Sequence, residues 1–189
     1  MDLKLLQESC GGLRAPSYGK VQRTGESYAS TTRWALRLIK ICVKLYQRLE
    51  SLDQTARLLR DTIEFAVRRY HGYFYEYRLQ THYRDASIGH NETRGLVVEH
   101  VIPVRLLIAG LLQNRLPLAL VLNPPMCVIR KESDVILEKS GLGDTTPNVW
   151  YFWQRYRDLG ITIVTNRNDP VDQATWNLGT HVQYFKIQL

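Results

Sequence analysis

The first half of the chain carries two long stripes of apolar residues at helical spacing. The first stripe begins near Ser30 and recurs every three or four positions, which predicts an amphipathic helix. Its members are Trp34, Leu38, Ile41, Leu45 and Leu49. The second stripe runs from Leu52 to Tyr77 in alternating steps of four and three, and Ser51 with Gln54 can form a capping box at its start. The few residues between the stripes predict an antiparallel helical hairpin, whose coiled-coil-like faces form a core or a homodimer seam.

The second half alternates short apolar runs with turn residues and predicts shorter elements. The run from Leu96 predicts a buried strand that ends near His100, because Pro103 cannot extend a central ladder. Residues 81–95 are polar and without a sustained period, which predicts a loop. The other predicted elements are helices at 104–112, 117–122 and 131–139, a strand at 126–129, an aromatic helix at 150–159, a strand at 161–164 and a closing edge strand at 182–189.

These elements predict an α+β protein that is mainly helical. Residues 1–28, with several glycines and interspersed basic residues, predict a flexible basic arm. Residues 29–94 predict the helical hairpin with its connecting loop. Residues 95–189 predict a core in which a helical insertion separates two short strands.

Composition narrows the choice of partner and compartment. The formal net charge of +7 favours a polyanion, such as nucleic acid or an anionic membrane surface. Cys10, Cys42 and Cys127 have no metal-ligand spacing and fit a reducing cytoplasm. No secretory signal pattern opens the chain, and charged and polar residues interrupt its most apolar run. We therefore expect a cytoplasmic protein with no membrane partner.

The chemically capable stretch is Glu99-His100-Val101-Ile102-Pro103. An acidic residue followed by histidine, two aliphatic residues and proline resembles the first motif of the HNH, or ββα-metal (His-Me finger), endonucleases. The resemblance extends from Gly95 to Glu138. It implies a ββα-metal-like core in which His100 is the general base, Glu99 binds a divalent metal, and the helix after the second strand supplies another ligand. An imidazole also has the near-neutral pKa that activation of water requires.

The helix at 131–139 departs from the family, which usually offers histidine or asparagine at this place. Asp134 is our preferred second ligand, and Glu132 is the substitute. An all-oxygen ligand set suits Mg²⁺ or Mn²⁺ better than zinc.

The resulting hypothesis is a metal-dependent endonuclease, with DNA favoured over RNA as the substrate. Alternatives are a non-catalytic, basic nucleic-acid-binding protein and an interaction protein that assembles through the helical hairpin. Most basic side chains on a protein surface are simply solvated, but seven basic residues of this chain are candidates for nucleic-acid contact. The candidates are Arg78, His82, Arg94, Arg105, Arg130, Lys131 and Arg155.

Overall fold

A computed structural model describes residues 25–49, 53–74, 81–89 and 92–189 of the chain. Within these ranges the protein has seven helices and a mixed four-stranded sheet, which confirms the predicted α+β class. Backbone contacts divide the chain into two units, Met1–Tyr73 and Phe74–Leu189. None of the described helices combines the length and the apolar character that crossing a membrane requires.

The first unit is built on helix α1 (Gly25–Tyr46) and helix α2 (Gln54–Phe74). The buried apolar residues of α1 are Ala35, Leu38, Ile39 and Cys42. Leu38 belongs to the predicted stripe, whereas Ala35 and Cys42 are each one position after a stripe member. The buried face of α2 follows the predicted stripe and comprises Ala56, Leu59, Ile63, Ala66 and Val67. Trp34 and Phe65 meet edge to face with ring centroids 6.2 Å apart. The antiparallel hairpin and the homodimer seam stay predictions.

Helix α2 begins at a different cap from the predicted one. The backbone N–H groups of Thr55 and Ala56 donate to Asp53 Oδ1 at 2.8 and 3.3 Å. This side-chain acceptor satisfies donors that the first turn of a helix leaves open. The predicted capping residue, Ser51, lies outside the described residues, as does Tyr77 at the end of the stripe.

The second unit contains the sheet, whose strands are β1 (Tyr83–Asp85), β2 (Leu96–His100), β3 (Met126–Arg130) and β4 (Ile163–Thr165). The spatial order is β2-β3-β1-β4. Strand β3 pairs antiparallel with β2 and parallel with β1, and β4 pairs antiparallel with β1. The predicted strands β2, β3 and β4 are confirmed with small shifts of their ends. The prediction of a loop is wrong at β1, because three residues are too few to show alternation.

Five helices complete the second unit: α3 (Val104–Leu112), α4 (Leu118–Leu122), α5 (Lys131–Lys139), α6 (Gln154–Arg157) and α7 (Leu178–Tyr184). The first three confirm the predicted helices. Helix α5 begins directly after β3 and contacts both β2 and β3. The aromatic helix shrinks to the single turn of α6.

The predicted edge strand at 182–189 is wrong, because helix α7 covers the first three of these positions. Asn177 Oδ1 accepts the backbone N–H of Thr180 at 3.1 Å and caps the helix start. Helical geometry then buries both Leu178 and His181. Phe185, Ile187 and Leu189 alternate with polar residues, which suggested a strand. In the described part of the chain, no strand of the sheet pairs with them.

Candidate functional site

Glu99 lies near the end of strand β2 and is held by two neighbouring residues of helix α6. Arg155 donates from Nη2 to Glu99 Oε1, and the Tyr156 hydroxyl donates to Oε2. The Arg155 side chain is 0% exposed, whereas that of Glu99 keeps 13% of its surface exposed. Arg155 and Tyr156 therefore fix the orientation of the Glu99 carboxylate.

The electrostatic setting of Glu99 is unusual for a carboxylate. Its pKa rises from 4.5 to about 7, chiefly because burial penalises the charged form. The Arg155 charge and the Tyr156 hydrogen bond work against this rise, while the negative charge of Asp134 adds to it. Asp134 of helix α5 is thus near enough to Glu99 for the two carboxylates to repel each other. Glu99 can exchange a proton close to neutral pH.

Arg155 is not fully satisfied by this arrangement. Its Nη1 donates to the carbonyl of Thr145 at 3.5 Å, at the limit of a hydrogen bond. Within the described part of the chain, the buried Nε of Arg155 has no acceptor. A buried donor without an acceptor costs about 1–3 kcal/mol, so an additional acceptor at this atom would be stabilised.

His100 is the last residue of strand β2 and is half-buried. The strand pairs regularly with β3 through His100 and Met126, so the pleat persists to the end of the strand. Side chains of a strand alternate between faces, so His100 shares its face with Val98 and Glu99 projects from the other. Val98 packs against Val128 in a small apolar cluster. Of the two arrangements that the sequence left open, the structure has the divergent one.

The two candidate ligands on helix α5 occupy different surroundings. Asp134 is half-buried and interacts with Glu99, whereas Glu132 is exposed and interacts with Arg130. The structure therefore brings Asp134, but not Glu132, to Glu99. Among residues 25–49, 53–74, 81–89 and 92–189, no group of three or more His, Cys, Asp or Glu side chains is arranged to hold a metal ion.

A site with two carboxylates still fits Mg²⁺. This ion commonly takes only one or two protein carboxylates and completes its shell with water and substrate phosphate oxygens. A carboxylate has about four lone-pair positions, and Arg155 and Tyr156 use one on each oxygen of Glu99. Glu99 therefore keeps lone pairs for a further contact beside the two that hold it.

The basic residues that we named for nucleic-acid contact differ in their exposure and in their partners. Arg94, Arg105 and Lys131 are exposed, and Arg78 lies outside the described residues. Arg130 makes two hydrogen bonds to Glu92, at 2.5 and 3.0 Å.

Arg155 and His82 lie in interior environments instead of on a solvent-facing surface. Arg155 is the internal ion-pair partner of Glu99, so we no longer assign it to phosphate contact. His82 packs its ring edge to face against His181 and Phe185, with centroids 4.8 and 4.7 Å away. Burial lowers the pKa of His82 from 6.5 to about 4, so the ring is neutral at physiological pH and offers no charge to a phosphate.

A second buried polar cluster, which the sequence did not indicate, surrounds Tyr83. Trp176 Nε1 donates to the Tyr83 hydroxyl at 2.9 Å, and that hydroxyl lies 2.9 Å from His181 Nδ1. His181 Nε2 lies 3.3 Å from the carbonyl of Asn123, which can only accept. Nε2 therefore carries the proton, and Nδ1 accepts from Tyr83. Burial lowers the pKa of His181 from 6.5 to about 3, so this cluster is neutral.

No local signal would have identified either cluster. Tyr83 and His181 are 98 positions apart, and Glu99 and Arg155 are 56 apart. Tyr156 falls within the predicted aromatic helix at 150–159, a pattern that does not indicate its hydrogen bond to Glu99. Comparison with family models, with curated proteins and with solved structures found no match to this chain. The functional argument therefore depends on the site itself.

Proposed function

We propose that the protein is a metal-dependent endonuclease of the HNH-like class that hydrolyses phosphodiester bonds in nucleic acid. The observation that carries the proposal is the packing of helix α5, which carries Asp134, against strand β2, which carries Glu99 and His100. Support also comes from the order of elements, since β2 and β3 are antiparallel and α5 follows β3 and contacts both. This order resembles a ββα unit with a helical insertion between its strands.

The residues divide the chemistry as follows. Glu99 and Asp134 would hold Mg²⁺ or Mn²⁺, which would supply positive charge for the scissile phosphate and the leaving oxygen. Arg155 and Tyr156 orient Glu99 by their two hydrogen bonds. His100 would accept the proton of the attacking water at an imidazole nitrogen.

A non-catalytic nucleic-acid-binding protein is the second candidate. Two observations favour it: the divergence of Glu99 and His100 across the pleat, and the neutralisation of Glu99 by Arg155. In that case the Glu99 cluster would be structural, and the net charge of +7 would account for binding.

A cleavage assay separates the two candidates. The purified protein is incubated with supercoiled DNA and with single-stranded RNA in Mg²⁺, Mn²⁺ or EDTA. We expect His100→Ala and Asp134→Asn to lower metal-dependent cleavage by at least about 100-fold, as loss of a general base or of a metal ligand does. Glu138→Gln is the matched control, because it removes one exposed carboxylate from the same helix.

Each outcome selects one candidate. Unchanged cleavage by His100→Ala would remove His100 from the role of base. Equal losses in Asp134→Asn and Glu138→Gln would show a general effect of charge on helix α5. Salt-sensitive binding by the wild-type protein with no cleavage in either metal would establish the second candidate.

A further inference from the structure

Helix α1 exposes a single row of basic side chains. The row, which we call the basic stripe, consists of Arg33, Arg37, Lys40 and Lys44, all exposed. Their spacing of four, three and four residues keeps all of them within about 60° around the helix axis, at 100° per residue. The buried residues Leu38 and Cys42 lie on the opposite side of the helix by the same rotation. The stripe therefore points directly away from the core that anchors the helix.

Acidic residues are absent from the part of helix α1 that carries the stripe. The segment 31–49 contains five basic residues, the stripe and Arg48, and no acidic residue. Helix α2 differs, because it mixes both signs: Arg68 pairs with Glu64 at 2.9 Å, and Asp61 is exposed beside Arg57 and Arg60. A periodic stripe of one sign is an attractive surface for a polyanion, whereas a mixed face is largely self-neutralised.

The dimensions of the stripe suit a sugar-phosphate backbone. With a rise of about 1.5 Å per residue, Arg33 and Lys44 lie about 16 Å apart along the helix. Duplex DNA presents about one negative charge per 1.7 Å of axis, so a row of this length faces several phosphates. An anionic membrane would be bound by apolar side chains inserted next to the charges. The apolar face of α1 is instead directed into protein, with Leu38, Ile39 and Cys42 buried.

We propose that the basic stripe of helix α1 binds the sugar-phosphate backbone of nucleic acid. This surface lies outside the set of basic residues that the sequence motif suggested, and it requires no metal and no chemistry at Glu99. The proposal uses the proposed function only for the choice of nucleic acid as the polyanion. Binding by the stripe can therefore be measured when cleavage is blocked.

The test is the salt dependence of binding by the full chain. Fluorescence anisotropy follows a labelled DNA duplex of about 20 base pairs, in EDTA, over about 50–200 mM KCl. The variant Arg37→Gln/Lys40→Gln/Lys44→Gln removes three stripe charges. Because each neutralised phosphate contributes about 0.9 to the slope of log K against log salt, we expect that slope to become shallower by roughly 2 to 3.

A matched control separates contact from net charge. The variant Arg57→Gln/Arg60→Gln/Arg115→Gln also removes three exposed basic residues, and we expect its slope to stay within about 0.5 of the wild-type slope. Circular dichroism checks that both variants are folded. Lys40→Gln alone, with an expected change of about 0.9, replaces the triple variant if the latter fails to fold.

Three results would overturn the proposal. The first is an equal change of slope in the stripe and control variants, which would mean that only net charge matters. The second is a wild-type protein that binds neither the duplex nor single-stranded RNA. The third is stripe-dependent binding to phosphatidylserine vesicles without binding to nucleic acid. Duplex binding in EDTA together with no cleavage in Mg²⁺ or Mn²⁺ would refute the nuclease proposal and leave the stripe proposal standing.

Discussion

The second unit contains two buried polar clusters that differ in charge and in completeness. The cluster around Tyr83 is neutral, and its donors and acceptors form a continuous chain from Trp176 to the carbonyl of Asn123. The cluster around Glu99 is ionic, with a second carboxylate, Asp134, nearby. The first has the properties of a structural hydrogen-bond network, and the second is the site for which we propose chemistry.

The physical reason for the difference is the cost of burying charge. Burial lowers the pKa values of His82 and His181, so the Tyr83 cluster avoids carrying charge altogether. Glu99 and Arg155 instead neutralise each other, and this compensates for desolvation only when the geometry is good. Arg155 Nε, without an acceptor in the described chain, shows that the geometry of the ionic cluster is incomplete. The packing of α5, with Asp134, against the strand that carries Glu99 is the reason to look for chemistry at Glu99 and not at Tyr83.

The largest expected effect is that of Arg155→Met. This change leaves the Glu99 carboxylate buried without its counter-ion, and we expect the free energy of unfolding to fall by about 3–5 kcal/mol. Glu99→Gln in the same chain should restore part of the loss, because the uncompensated charge is gone. Urea denaturation of both single variants and the double variant measures the coupling; additive losses would show that Glu99 and Arg155 act independently.

The neutral cluster should make the protein sensitive to acid. The pKa values of His82 and His181 in the folded state, about 4 and about 3, lie below their unfolded value of 6.5. The unfolded state therefore binds protons first, and stability is complete above pH 6.5 and falls as the pH drops toward 4. We expect a total loss on the order of a few kcal/mol, at about 1.4 kcal/mol per pKa unit. In urea titrations at several pH values, His82→Gln should make the free energy of unfolding depend less steeply on pH. An unchanged dependence would contradict the role of His82.

The ionic cluster has the opposite pH dependence. The folded pKa of Glu99, about 7, exceeds its unfolded value of 4.5, so its contribution is complete below pH 4.5 and is lost as the pH rises toward 7. The stability of Glu99→Gln relative to wild type should therefore improve between pH 4.5 and 7.5, by about 1–3 kcal/mol. A constant difference across this range would mean that Glu99 titrates normally.

A smaller effect is expected from Tyr83→Phe. The change keeps the ring and removes the hydroxyl that connects Trp176 to His181, leaving two buried groups without a partner. We expect a loss of about 1–3 kcal/mol in the free energy of unfolding. Nucleic-acid binding and any cleavage should be unaffected, which distinguishes this cluster from that of Glu99.

The smallest effect concerns the helix that carries His181. Asn177→Ala removes the cap of α7 and should cost about 1 kcal/mol, because an N–H in the first turn loses its acceptor. Asn177→Ser, which keeps an oxygen acceptor, is the control and should recover most of the loss. If thermal unfolding shows no difference between the two variants, α7 is held by packing alone.

The sequence determined those elements whose pattern extends over several turns or ends at a strong breaker. The apolar periodicity of α2 and the helix at 131–139 are confirmed, and Pro103 does follow the end of strand β2. These features depend on interactions between residues close together in the chain, so a short segment of sequence is enough to predict them. The α+β class follows from the same signals. The assignment of His100 as a base rests on five residues and stays a prediction.

Only the tertiary structure decided the rest. Strand β1 is three residues long and exists because β3 and β4 pair with it on either side. The residues at 182–184 are helical because Asn177 caps α7 and the core accepts His181, although the local alternation favours a strand. Arg155 is an internal counter-ion because folding brings it to a carboxylate 56 positions away. Sequence patterns report local preference, whereas burial and long-range pairing choose among the structures that those preferences allow.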